Sequence, residues 1–151
     1  MLRLRPARFL IWQVSLDNLR LISCGGSALP LPLVQQAFDA FGPRFFTSYG
    51  MTECTGKISV SRLQPSMLSL PLDERIRLVG SQGKPFTGME IRVLSDDGKI
   101  VPTGEVGEVQ IRGRTVFKGY WERDDATAES FQDGWFRTGD VPPGAFEPRR
   151  L

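Results

Sequence analysis

Phe46-Thr47-Ser48-Tyr49-Gly50-Met51-Thr52-Glu53 is the stretch whose reading decides the fold, because an apolar run there meets a glycine and delivers a ring, a hydroxyl and a carboxylate together. Arg44-Phe45-Phe46-Thr47-Ser48 is rich in aromatic and β-compatible residues and follows Gly42-Pro43, so it reads as a short strand that turns at Gly50. In an open α/β sheet, residues just beyond a strand's carboxyl end line the crevice where ligands sit, which puts Tyr49, Thr52 and Glu53 there. A ring can stack on a base, a hydroxyl can donate to a phosphate oxygen, and a carboxylate can hold Mg²⁺, a hard cation that takes oxygen ligands. The other reading of the same residues is a polar turn after a buried strand, with Thr52 as a cap and Glu53 in solvent.

Upstream, Leu19-Arg20-Leu21-Ile22-Ser23-Cys24 is a mostly apolar run ended by Gly25-Gly26-Ser27, a strand stopping in a loop that lets backbone approach a ligand. Pro30 and Pro32 prime a helix, Leu33, Val34, Ala37, Phe38 and Phe41 recur at helical spacing, and Gly42-Pro43 ends it. Strand, helix and strand in one sheet make the two strands parallel, with both carboxyl ends at one edge, so Gly25-Gly26 and Tyr49–Glu53 converge.

Downstream, residues 62–74 hold Pro65 and Pro71 among leucines without a clear period and read as a loop. The apolar period then changes to alternation. Met89, Ile91 and Val93 alternate with Glu90 and Arg92, Asp96-Asp97-Gly98 supplies a hairpin turn before Ile100-Val101, and Val109 and Ile111 alternate again ahead of Thr115-Val116-Phe117. These short strands suggest an antiparallel sheet or a distorted barrel. Asp124–Glu129 reads as a short helix with acids at its positive end, and Asp133-Gly134 as a tight turn between Phe131 and Trp135. Asp140 follows a further glycine; a carboxylate has acceptors enough for both hydroxyls of a ribose, and a turn aspartate before Pro142-Pro143 is the competing reading. The chain thus divides into a tail at 1–16, a body at 17–140 with an α/β part at 17–60 and a β-rich part at 76–122, and a second tail at 141–151.

Charge and composition narrow the partners. At 151 residues and 40% hydrophobic content the chain can build one ordinary core. Its formal charge of +2 comes from the tails: without Arg3, Arg5, Arg8, Arg149, Arg150 and Glu147 the body has 14 basic against 16 acidic residues, so charge gives no nucleic-acid surface. Histidine is absent, which excludes a histidine base or histidine-ligated metal within these residues. Cys24 and Cys54 read as small buried hydrophobes in a reducing compartment, the cytoplasm or an organelle matrix. The Arg-rich, acid-poor start permits a mitochondrial targeting reading, against which stands its single serine, Ser15. No apolar run approaches the roughly 20 residues of a membrane span.

Gly25-Gly26-Ser27, Tyr49-Gly50-Met51-Thr52-Glu53, Gly104-Glu105-Val106-Gly107-Glu108, Gly119-Tyr120-Trp121 and Gly134-Trp135-Phe136-Arg137-Thr138-Gly139-Asp140, in this order, closely resemble the adenylate-forming superfamily of acyl-CoA synthetases, peptide-synthetase adenylation domains and beetle luciferases. Within it the wording looks most like a fatty or medium-chain acyl-CoA synthetase. The resemblance runs from about Leu19 to Asp140 and implies that the body is a fragment of the large N-terminal domain of such an enzyme. It implies a two-step ligase whose small-molecule partners are a carboxylic acid, ATP and coenzyme A: the carboxylate attacks the α-phosphate of ATP, pyrophosphate leaves, and the acyl group of the acyl-adenylate passes to the coenzyme A thiol. By the same resemblance Gly25 and Gly26 bring backbone to the nucleotide, Ser27, Gly50 and Met51 lie against it, Tyr49 stacks near adenine, Thr52 meets phosphate, Glu53 holds Mg²⁺ and Asp140 grips the ribose. The missing histidine is no obstacle, since an ionised carboxylate is already a nucleophile and the chemistry requires positioning and charge neutralisation. The family's Ser/Thr/Gly-rich phosphate loop and its carboxy-terminal lid lysine have no counterpart in these residues, and Val141–Leu151 matches nothing in the family, so the expectation is a truncated or mispredicted product that needs the rest of the ligase fold. A ligase segment and an inactive remnant that binds nucleotide or another protein are the two readings carried forward.

Overall fold

The computed structural model describes residues 18–102 and 104–141; the targeting reading of the first residues and the tail beyond Val141 lie outside them. β1 (Ile22–Gly25) pairs in parallel with β2 (Phe45–Met51), and α1 (Leu31–Phe41) with the 3₁₀ turn Gly42–Arg44 makes the crossover. Pro32 in the first turn of α1 and Gly42 at φ 61° after its last residue set the two ends. Val34 and Phe38, one turn apart, are buried against Phe45 of β2. The strand–helix–strand unit expected of the opening quarter is therefore present, with both strand ends at one edge.

β3 (Gly56–Val60) returns antiparallel beside β2, and β4 (Lys84–Pro85) pairs with β3, giving the order β1-β2-β3-β4. Between them the structure differs from the expected loop: after the short 3₁₀ turn Pro65–Met67, α2 spans Leu72–Gly80. Its apolar stripe is narrow, Ile76 and Val79 among Asp73, Glu74, Arg75 and Arg77, yet both are buried in the cluster of Val34, Phe38, Phe45 and Leu63. The last carbonyls of a helix lack intrahelical partners. Here two hydroxyls answer one of them: Thr47 Oγ1 of β2 and Ser61 Oγ, just after β3, both lie 2.7 Å from the Val79 carbonyl and 2.8 Å from each other. Ser81 Oγ donates to the Leu78 carbonyl at 2.7 Å. Ser61→Ala is expected to lower stability by about 1–3 kcal/mol, the range for a buried polar group losing its partner. Urea unfolding reads the loss, and amide exchange should rise first at the end of α2; an unchanged midpoint would show that Thr47 alone satisfies the carbonyl.

The second sheet is antiparallel, β5 (Met89–Leu94), β6 (Glu108–Gly113), β8 (Trp135–Arg137) and β7 (Phe131–Gln132) in that spatial order, with α3 (Asp124–Ser130) leading into β7. Of the two arrangements expected of the β-rich part, the described residues form the antiparallel sheet. Alternation sorts its faces. Met89, Val109, Ile111 and Phe136 face inward and meet Ile58 of β3 and Cys54, which precedes that strand, in one shared cluster. Outward, the guanidinium groups of Arg92 and Arg112 lie 4.4 and 4.5 Å from the ring centre of Trp135, while Arg112 pairs with Glu90 and Arg92 donates to Gln110. Gln110, on the same face and held by Arg92, is 1% exposed.

Asp133 and Gly134, at φ 51° and 77°, make the two-residue turn that joins β7 to β8, as their sequence predicts. Three expectations are corrected. Ile100-Val101 is cut short as a hairpin strand: the Asp96-Asp97-Gly98 turn closes, a single antiparallel bridge joins Leu94 to Ile100 and Val101 N–H donates to the Val93 carbonyl, but Pro102, lacking an N–H, cannot extend the ladder, and the long partner of β5 is β6. Thr115-Val116-Phe117 is a turn rather than a strand, because the chain doubles back after Gly113 to pack Val116 and Phe117 on the shared cluster. β2 does not turn at Gly50 but runs on to Met51, with a register shift between Tyr49 and Gly50. Among the described residues no helix is long and apolar enough to cross a membrane.

Candidate functional site

Every residue singled out from the sequence lies along one edge, in two adjoining hollows at the carboxyl ends of β1 and β2. The smaller, about 210 Å³, is lined by Gly26, Ser27, Tyr49, Gly50 and Asp140, together with Ala28, Ser48, Gln82 and Val141. The wider, about 990 Å³, is lined by Gly25, Gly26, Met51, Thr52 and Glu53, with Ser48, Gly50 and Lys57 among its other walls. Gly26, Ser48 and Gly50 belong to both, so the hollows are continuous.

Local chemistry explains the shape of this edge. Gly25 pairs with Ser48, and a Cβ on Gly25 would stand 2.5 Å from the Ser48 carbonyl oxygen, so the two strands approach as only glycine allows. After Met51 the chain folds into a 3₁₀ turn, Thr52–Cys54, whose centre is the Cys54 thiol: Met51 N–H donates to it at 3.2 Å and it reaches the Gly56 carbonyl at 3.2 Å. Burial pushes this thiol up, so it stays a neutral small hydrophobe in the shared cluster. The turn leaves Thr52 exposed and Glu53 half-buried at the rim.

The two candidate carboxylates arrive from different parts of the chain, and each meets a tyrosine from the other part. Tyr49 Oη donates to Asp140 Oδ2 at 2.7 Å, and Tyr120 Oη donates to Glu53 Oε1 at 3.1 Å. These are the chain's two tyrosines. Burial and the neighbouring Asp140 carboxylate push the Tyr49 phenol well up, so it keeps its proton and acts as a donor. Asp140 is anchored through its main chain, where Val109 N–H donates to its carbonyl at 2.9 Å; the Phe117 N–H likewise donates to the Glu53 carbonyl at 2.7 Å.

Glu53 fits the role of a cation ligand by its chemistry. Glu53 lines the wider hollow and Tyr120 engages only its Oε1, and Mg²⁺ is ordinarily held by one or two carboxylates completed by phosphate and water rather than by an all-protein cage. Among the described residues no cluster of three or more acidic, cysteine or histidine side chains competes for that role.

Reading the sequence left out Ser48, Lys57, Gln82 and Tyr120. Tyr120 was visible within Gly119-Tyr120-Trp121 but had no partner until the fold brought it to Glu53. Gln82 follows α2, whose sequence shows no clear apolar period.

A parallel β1–α1–β2 unit whose strand ends face a returning aspartate, followed by an antiparallel sheet, is the architecture of a portion of an adenylate-forming enzyme. The chain belongs to the AMP-binding enzyme family, whose model matches residues 2–121. It is 39% identical over 126 residues to a feruloyl-CoA synthase from an Amycolatopsis species, covering 83% of this chain and 24% of that protein. The amide bond synthetase McbA of Marinactinospora thermotolerans superposes with a TM-score of 0.71 at 32% identity, over 88% of this chain and 25% of that one. The o-succinylbenzoate CoA synthetase of Bacillus subtilis, in complex with its acyl-adenylate intermediate, superposes with a TM-score of 0.66 at 37% identity, over 83% and 24%. The chain therefore spans about a quarter of the length of the relatives it matches. The relatives include a feruloyl-CoA synthase, 2-succinylbenzoate–CoA ligases and a long-chain-fatty-acid–CoA ligase, so they do not single out the fatty or medium-chain type.

Proposed function

We propose that these residues form part of the adenylate pocket of an ATP-dependent acid–thiol ligase, which joins a carboxylic acid to the α-phosphate of ATP with loss of pyrophosphate and then passes the acyl group to coenzyme A. The observation that carries this reading is the meeting of Asp140 and Glu53 with the Gly25–Ser27 loop along one edge of a parallel strand pair. Asp140 accepts the ribose hydroxyls, the ring of Tyr49 offers an adenine a face, and the open main chain at Gly26, where a Cβ would meet nothing within 4 Å, lets the nucleotide approach backbone. Thr52, exposed at the rim beside Glu53, donates its hydroxyl to phosphate. Mg²⁺, held by Glu53, supplies neutralisation of phosphate charge when bound.

The two acids are expected to separate by role. Asp140→Ala should weaken ATP and AMP binding alike, by about 1–3 kcal/mol, the range for loss of hydrogen bonds to a charged group. Glu53→Ala should leave AMP nearly unchanged and weaken ATP only where Mg²⁺ is present. Isothermal titration of each variant with ATP and AMP, across Mg²⁺ concentrations, reads both. Equal effects of the two substitutions on AMP, or none on either nucleotide, would overturn the assignment.

A further inference from the structure

We propose that the Tyr49 hydroxyl is a positioning group for the Asp140 carboxylate: it holds one carboxylate oxygen and so presents the other to the ribose diol, making ribose recognition depend on β2 as well as on the turn after β8. The inference rests on the nucleotide reading above and adds a role for the hydroxyl distinct from that of the ring.

Asp140 is exposed, and an exposed aspartate is free to change rotamer unless something holds its carboxylate. Its main chain is fixed by the Val109 N–H on its carbonyl and by its own N–H, which donates to Thr138 Oγ1 at 3.1 Å. Those contacts place the Cα and leave the side-chain torsions to the 2.7 Å bond from Tyr49. The donor, unlike the acceptor, is rigidly placed: the Tyr49 ring packs against the cluster of Cys54, Ile58, Ile111 and Phe136 that both sheets share. Among the groups facing the phenol are the Asp140 carboxylate, the Thr138 side chain and the Cys54 thiol; burial, with the carboxylate second, keeps it protonated, so it remains the donor in its bond to Asp140.

Two measurements test this, one without ligand. Urea unfolding of Tyr49→Phe, Asp140→Asn and the double variant forms a thermodynamic cycle, expected to show coupling of roughly tenfold in the unfolding constant, as for a hydrogen bond to a charged group. Calorimetric titration with AMP and with 2′,3′-dideoxy-AMP then reads the ribose: Tyr49→Phe keeps the ring, so it should cost AMP roughly fivefold in affinity, a conservative share of a charged hydrogen bond, and leave the dideoxy analogue unchanged. Asp140→Asn should abolish the preference for AMP. An additive cycle, or equal losses for the two nucleotides in Tyr49→Phe, overturns the positioning role while leaving the ribose reading intact. A wild-type chain that binds the two nucleotides alike, or binds neither, with the coupling still present, overturns the ribose reading and the proposal with it.

Discussion

Replacing Phe136 with alanine is expected to destabilise the chain by about 3–5 kcal/mol, a large part of the 5–15 kcal/mol available to an ordinary domain. Phe136 is 2% exposed at the centre of the second sheet, with ring centres of Phe117 and Phe131 at 5.2 and 5.3 Å. Truncation removes the ring from an aromatic cluster and leaves a cavity that two antiparallel strands cannot close by collapse, because Ile111 opposite it in β6 is fixed by its own ladder. The damage should reach the nucleotide edge, since Asp140 lies four residues on and its anchor is the Val109 N–H of the same sheet. Urea unfolding measures the loss, and a cost below about 1 kcal/mol would place Phe136 outside the core.

Gly50→Ala is expected to cost about 3 kcal/mol or more, at or beyond the upper end of overpacking penalties. A Cβ at this position would stand 1.8 Å from the Gly56 carbonyl oxygen and 2.7 Å from the Lys57 Cα, all backbone of the neighbouring strand, so no side-chain rotation relieves it. β3 would have to move away from β2, opening the wall common to both hollows. Gly26→Ala offers the contrast. Its φ of 94° penalises any side chain but nothing lies within 4 Å, so the expected loss is about 1 kcal/mol of backbone strain. Thermal melts of the two variants should differ clearly; similar melting temperatures would mean that β2 and β3 are not paired in this register.

The β1–α1–β2 unit was legible in the sequence because its signals are local and agree: Leu33, Val34, Ala37, Phe38 and Phe41 at helical spacing, prolines before and glycine after. The turn at Asp133-Gly134 was legible for the same reason. α2 was not, since two buried apolar residues among four charged ones give little periodicity, and its identity as a helix is settled by packing and by the hydroxyls of Thr47 in β2 and Ser61 just after β3 at its carboxyl end. At Gly50 the sequence alone is ambiguous, because glycine marks both turns and close backbone approaches and only the partner strand distinguishes them. At the site, residue types suggested the chemistry of Thr52, Glu53 and Asp140, whereas the tyrosine partners required the fold. Tyr49 and Asp140 are 91 positions apart, Glu53 and Tyr120 are 67, and no local pattern reports such pairs.

Those separations also set the order in which the edge can come into being. The β1–β2 pair closes over a short crossover, but each tyrosine–carboxylate bond must wait until a long loop has been shut, an entropic toll that grows with the logarithm of loop length. The strands and α1 therefore have reason to form early in folding and the carboxylates to be set late. In the native chain the same bonds, at the margin of the shared cluster, are where opening uncovers little surface, so the amides around Asp140 and Glu53 are expected to exchange sooner than those of the strands behind them.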